Sequence, residues 1–285
     1  GIWNPATLDV KRGRLYVTTG DAYSRPASIN SDAVVALDLD SGAIAWSWQA
    51  TADDAYTNAC VDADVHPEIL AECGPDVDFG ASAILRTLHD GSEVLLAGQK
   101  SGVLHALNPD DGTVRWQKRL SPGGILGGIE WGIAADASNV YVPISDVWEN
   151  LDDQGAAGGI VAVDFNTGEV QWEQPATIPD CMETDGCVAG QPQAVTVIPG
   201  LVFSGSMDAH MRVYRTSDGA VVWDYDANRE YETVNGVKGR GGSFSGGGAT
   251  VVGGMVYVTS GYGIFGIDGN VILAFGPRQS EDKAN

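Results

Sequence analysis

A chain of 285 residues, 44% of them hydrophobic, can bury a full core, and its 38 glycines suit many short strands joined by tight turns, because glycine reaches the positive-φ conformations such turns need. Its 38 acidic and 16 basic residues leave a formal charge of −22, which repels phosphate backbones and anionic membrane surfaces and argues against nucleic acid as a partner. No apolar run approaches the roughly 20 residues that cross a bilayer, so no membrane span is expected, whereas a cationic protein would be steered inward by the same field.

In chain order, the first apolar strand is predicted at Arg14-Leu-Tyr-Val-Thr18, followed by Ala36-Leu-Asp-Leu-Asp-Ser-Gly42-Ala-Ile-Ala-Trp46. An alternating strand there ends in an Asp/Ser turn, glycine takes the left-handed position, and a second strand leaves carrying tryptophan, which is a β-hairpin. A segment from Thr51 to Gly74 then reads as a long loop over one face, with Cys60 and Cys73 inside it. Strands at Glu93-Val-Leu-Leu-Ala97, Asn139-Val-Tyr-Val-Pro143 and Leu201-Val-Phe-Ser204 each precede another copy of the hairpin phrase, with Gly112 and Trp116, Gly168 and Trp172, and Gly219 and Trp223. Cys181 and Cys187 bracket a second short polar loop. Three cysteine pairings are formally open, and two local disulfides are expected, in an oxidising compartment, periplasmic or secreted. A last strand, Met255-Val-Tyr-Val-Thr259, leads to Asn270-Val-Ile-Leu-Ala-Phe275, where the pattern stops short of its glycine and tryptophan.

Glycine leads tryptophan by four residues in all four copies, and repeats of about 50 residues, each offering three or four antiparallel strands, are the arithmetic of propeller blades. The expected fold is therefore an all-β propeller of four-stranded blades, in one region spanning 1–285, with blade-like units near 1–50, 78–117, 128–173, 190–224 and 246–276. A plain β-sandwich would require the four identical spacings to be coincidence.

The hairpin phrase resembles the tryptophan-docking repeat of the PQQ-dependent quinoprotein alcohol dehydrogenases. Cys73-Gly-Pro-Asp-Val-Asp-Phe-Gly-Ala-Ser82, Gly127-Gly-Ile-Glu-Trp-Gly132 and Gly241-Gly-Ser-Phe-Ser-Gly-Gly-Gly248 are similar to the polyvinyl alcohol dehydrogenases within that family. The resemblance implies about five of an expected eight blades, corresponding to a C-terminal portion. It implies pyrroloquinoline quinone (PQQ) beside calcium, oxidation of polyvinyl alcohol or other secondary alcohols, and electrons passed to a cytochrome c. It also implies roles by position: Asp78 as the base that takes the hydroxyl proton, with Asp76 its near rival; Lys100 beside the quinone oxygens; Trp3 under the quinone ring; Glu130 and Trp131 where the family has an Asn-Trp pair; and Asp21 as a calcium ligand. Glu130 departs from that pattern. Asp78 and Asp21 have a plainer reading as turn residues and Lys100 as a solvated hairpin lysine, Trp3 rests on position alone, and Arg240 is read as a loop arginine.

Because non-catalytic propellers share the repeat, a binding or outer-membrane assembly scaffold is the alternative function. His66, His89, His105 and His210 are scattered without a nucleophile motif, and no phosphate-binding glycine loop is present.

Overall fold

The computed structural model describes residues 1–61, 73–147, 158–177, 179–181, 183–261 and 266–277; His66 and most of the predicted loop between Cys60 and Cys73 lie outside them. The first sheet is a meander of β1 (Thr7–Asp9), β2 (Arg14–Thr18), β3 (Ala33–Asp38) and β4 (Ile44–Gln49). After a single helical turn, α1 (Asn58–Val61), the second comprises β5 (Ile84–Thr87), β6 (Glu93–Gly98), β7 (Val103–Leu107) and β8 (Val114–Arg119). The third holds β9 (Ala134–Ala135), β10 (Asn139–Ile144), β11 (Gly159–Asp164) and β12 (Val170–Pro175), and the fourth β13 (Thr196–Ile198), β14 (Leu201–Gly205), β15 (His210–Arg215) and β16 (Val221–Asp226). A two-stranded ribbon, β17 (Glu230–Glu232) with β18 (Lys238–Arg240), had no counterpart in the sequence reading. The fifth sheet has three strands, β19 (Thr250–Val252), β20 (Met255–Ser260) and β21 (Val271–Phe275). Among the described residues, four four-stranded antiparallel sheets and a three-stranded one, with the ribbon between the fourth and the last, make this the expected propeller architecture.

Inner strands such as β6 and β10 are buried almost throughout because their sheets have a neighbour on each face, whereas the outermost strands β4, β8, β12 and β16 expose at least half of their residues around a half-buried tryptophan. The core is accordingly divided into layers between sheets. Val34, Ala36, Leu95 and Ala97 fill the gap between the first two, and Leu96, Leu104, Val140 and Val161 the next. Tyr141, Ile160, Val202 and Tyr214 follow, and Met211, Val213, Val258 and Leu273 close the series.

The repeated glycine and tryptophan explain how the sheets lock. Trp46, Trp116, Trp172 and Trp223 stand opposite Ala36, Ala106, Ala162 and Val213, each at a register shift in the ladder, and all four are half-buried. Gly42, Gly112, Gly168 and Gly219 have φ of 71°, 75°, 76° and 71°. Each of the first three indoles lies on the glycine of the following sheet: a Cβ on Gly112 would stand 2.6 Å from Trp46, on Gly168 2.9 Å from Trp116 and on Gly219 2.6 Å from Trp172. Glycine is thus required twice over at these turns, for its backbone angle and for the indole above it. Trp223, facing a sheet without the glycine turn, packs on Tyr225 and Phe275 instead.

Candidate active site

The loops that leave β2, precede β5 and join β6 to β7 meet at one point, laced by main-chain hydrogen bonds from Phe79 N to Thr19 O (3.2 Å) and from Lys100 N to Asp78 O (2.9 Å). Fully buried Phe79 anchors the segment next to Asp78. Asp21, Asp76 and Asp78 are brought together there, all three buried, with one carboxylate oxygen of each within 4.8 Å of the others. Lys100 Nζ lies 3.0 Å from Asp78 Oδ2 and 3.2 Å from Asp76 Oδ2. Asp78 Oδ1 also accepts the backbone N–H of Asp21 at 2.6 Å.

These contacts split the carboxyls electrostatically. Burial pushes Asp76 up to about 7, because Lys100 only partly offsets it and Asp78 adds repulsion. Burial and the charge of Asp78 raise Asp21 to about 6, against the stabilising Tyr56 N–H. Asp78 feels the same burial, yet Lys100 and the Asp21 N–H outweigh it and hold its carboxyl below the usual range. Lys100 itself is held protonated: burial opposes its charge, but Glu130, Asp78 and Asp76 overcome it.

Trp3 forms a wall of the same space. Its indole lies on two glycine backbones: a Cβ on Gly80 would stand 2.6 Å from the ring, and one on Gly20 would collide with Asp78 and crowd Trp3 Nε1. Asn4 secures the segment by donating to Phe79 O at 3.0 Å, and Trp131 meets Trp3 edge to face with centroids 5.1 Å apart. Trp131 is fixed in turn by donation from its Nε1–H to Ser245 Oγ at 3.1 Å.

A cavity of about 1030 Å³ is lined by Trp3, Asp21, Asp76, Asp78 and Lys100, so five residues singled out from the sequence share one space. Glu130 and Trp131 line an adjoining, mainly apolar cavity of about 150 Å³ that shares Leu126 and Val147 with the larger one. Arg240 is on the exposed ribbon, bonded to Asn228, and does not line either cavity. Cys60 pairs with Cys73 and Cys181 with Cys187, as the local pairing anticipated, with Cα separations of 5.9 and 5.8 Å. His105 is buried between Trp48 and Phe79, and His210 pairs with Asp224, so neither serves the cavity.

Two residues of this region escaped the sequence reading. Asp54, fully buried, accepts the backbone N–H groups of Asp76 (3.3 Å) and Val77 (3.0 Å). Asp32, also fully buried, has φ of 46° and no hydrogen-bond partner for either carboxylate oxygen among the described residues. Burial, followed by the charge of Asp54, raises its carboxyl to about 8. Neither lies in a recognisable motif: Asp54 is marked by the backbone it approaches in space, and Asp32 by its burial.

The donor set fits the two groups the resemblance implied. Three converging carboxylates are the hard oxygen ligands that calcium prefers. A flat indole wall, a fixed ammonium and a cavity of this size suit a planar anionic quinone, with the cation offsetting the surplus of acidic groups.

Comparison with known proteins gives a consistent picture. A PQQ-repeat family profile described as "Outer membrane protein assembly factor BamB" matches residues 3–175 and 156–275. The chain is 43% identical over 286 residues to a polyvinylalcohol dehydrogenase of a Pseudomonas species, and 41% identical over 290 residues to that of Sphingopyxis sp. (strain 113P3). Both alignments cover 96% of this chain but 44% of the relative, so the chain spans less than half the length of the curated relatives it matches. Among solved structures, the quinohemoprotein alcohol dehydrogenase from Comamonas testosteroni superposes with a TM-score of 0.66 at 16% identity, over 98% of this chain and 50% of the other, a likeness of fold.

Proposed function

This chain belongs to the PQQ-repeat family of β-propellers, and from that premise we propose that it carries the alcohol-oxidising site of a quinoprotein dehydrogenase. The observation that supports this reading above all is the sealed cluster of Asp21, Asp76 and Asp78 around Lys100, opening on a cavity walled by Trp3. Asp21, Asp76 and Asp78 would hold calcium, and Trp3 and Lys100 would seat PQQ, with Glu130 and Trp131 bounding the site from the adjoining cavity. Bound there, the quinone would supply the hydride acceptor that none of the side chains offers.

The proton of the alcohol hydroxyl goes to a carboxylate. Asp78, the member kept ionised by Lys100, is the base in this reading, and Lys100 would also stabilise negative charge developing on an oxygen nearby. Asp76 is a second assignment for the base, supported by a carboxyl raised to about 7, near neutrality. Polyvinyl alcohol and other secondary alcohols are the proposed substrates, on the strength of 41–43% identity to enzymes named for that polymer. The proposed electron acceptor is a cytochrome c, a cationic one being suited to the charge of −22, and the two disulfides support a periplasmic or secreted setting. Among the described residues no helix is long and apolar enough to cross a membrane.

A non-catalytic assembly scaffold is the rival, favoured by the description of the matching family profile. A scaffold gains nothing from three buried carboxylates on one ammonium. Loading the full-length protein with PQQ and calcium and following dye reduction by polyvinyl alcohol and isopropanol tests the choice. Alcohol-dependent reduction that needs both additions is expected; absence of PQQ binding and of turnover would establish the scaffold.

A further inference from the structure

Lys100 offsets part of the repulsion among three converging carboxylates, but their directions in a metal-free site depend on what holds their loops in place. The described contacts identify what does. Asp54, Ala55 and Tyr56 run between the two segments that carry the acids and bond to both. On one side Ala22 N donates to Asp54 O (3.2 Å) and Tyr56 N to Ala22 O (2.8 Å), a parallel bridge between Ala22 and Ala55, while Tyr56 N also donates to Asp21 Oδ2 at 2.8 Å. On the other, Gly74 N donates to Ala55 O (2.7 Å), and the Asp54 carboxylate takes the N–H groups of Asp76 and Val77. A Cβ on Gly74 would collide with the Asp54 carboxylate and the Ala55 backbone N.

We propose that Asp54 to Tyr56 is a splint that preorganises the cation site, with Asp54 as its positioning residue. Asp54 is not one of the three clustered acids. Its two oxygens are turned to backbone N–H groups at the start of the Asp76-Val77-Asp78 run, fixing the directions in which Asp76 and Asp78 emerge. Tyr56 N does the same for Asp21. Residues Asp54 to Tyr56 are on this account part of the site.

This inference rests on the cation reading of the cluster, and the test separates the two. Calcium binding to the metal-free protein is measured by titration calorimetry, without PQQ or turnover. Asp54→Asn, which keeps the volume but replaces one acceptor by a donor facing an N–H, is expected to weaken calcium binding at least about tenfold, in the range outer-shell partners contribute. Asp136→Asn is the matched control, because Asp136 likewise accepts two backbone N–H groups, from Ser138 and Asn139, far from the cluster in sequence and outside both cavities. It should lower the melting temperature and leave calcium affinity within about twofold. Unchanged affinity in Asp54→Asn, with wild type binding calcium, would overturn the splint alone. No calcium binding by wild type would overturn the cation reading beneath it. Should Asp54→Asn fail to fold, hydrogen exchange on wild type decides: the amides of Asp76 and Val77 must exchange at least about 10²-fold more slowly than exposed loop amides in the metal-free protein, and equal rates would refute the clamp.

Discussion

Lys100 Nζ stands 3.0 Å from Asp78 Oδ2 with both residues almost sealed from solvent, 5% and 7% exposed. The same ammonium reaches Asp76 Oδ2 at 3.2 Å, and Glu130 is close enough to raise its proton affinity further. One cation thereby compensates several acids on the wall of the cavity.

Removing it should be costly. Lys100→Met leaves buried carboxylates unpaired, for which a loss of about 3–5 kcal/mol is expected. Urea unfolding with chelator present should show that loss, and calcium should restore a larger share of stability to the variant than it adds to wild type. A loss under about 1 kcal/mol would mean that Lys100 is not what compensates Asp76 and Asp78.

The two candidate bases are separable by substitution. In the loaded full-length enzyme, Asp78→Asn should lower kcat at least about 10²-fold, with calcium affinity measured in parallel so that lost metal is not mistaken for a lost base. If Asp78→Asn retains turnover while Asp76→Asn abolishes it, the proton goes to Asp76, whose carboxyl already lies near neutrality.

The docking glycines make a matched pair with a free one. Gly112 has φ of 75° and Trp46 lies on it, whereas Gly91 has φ of 82° with nothing within 4 Å of an added Cβ. Gly91→Ala should cost about 1–2 kcal/mol for the left-handed backbone alone. Gly112→Ala should cost about 1–3 kcal/mol more, because the indole must move, and denaturant midpoints of the two variants measure the difference. Equal losses would show that the indole contributes no packing constraint there.

That same pair of demands is why the fold could be read from the chain. Trp46 and Gly112 repeat at fixed spacing because each indole needs a glycine in the next sheet, and a contact between equivalent positions of successive repeats leaves a periodic trace. Asp78 and Lys100 were legible only through resemblance, since neither has a local pattern of its own. Asp54 left no trace: it touches N–H groups 22 and 23 residues away, and backbone donors carry no sequence identity. The ribbon of Glu230–Glu232 with Lys238–Arg240 was missed because strands of three residues are too short for their alternation to stand out.

Asp32 supplies the test with the least familiar sign. Its carboxyl is raised by burial to about 8 in the fold, from an ordinary 3.8, so the folded chain binds a proton that the unfolded chain releases across that interval. The contribution to stability is complete below about pH 4 and is lost as pH rises towards 8, at up to about 1.4 kcal/mol per pH unit. His105 runs the opposite way: burial lowers it from 6.5 to about 3, so its neutral form costs the fold stability as pH falls through that range. The two oppose each other between about pH 4 and 6.5, and Asp21 and Asp76 titrate in the same region, which is why variants are needed. Asp32→Asn keeps the neutral shape and cannot ionise, so relative to wild type it should gain stability between pH 5 and pH 8, and His105→Gln should gain between pH 6 and pH 4. Urea unfolding of each variant at those pH values gives the slopes. An Asp32→Asn difference that does not grow with pH would mean that the buried carboxyl finds a donor or a cation that keeps it ionised in the fold.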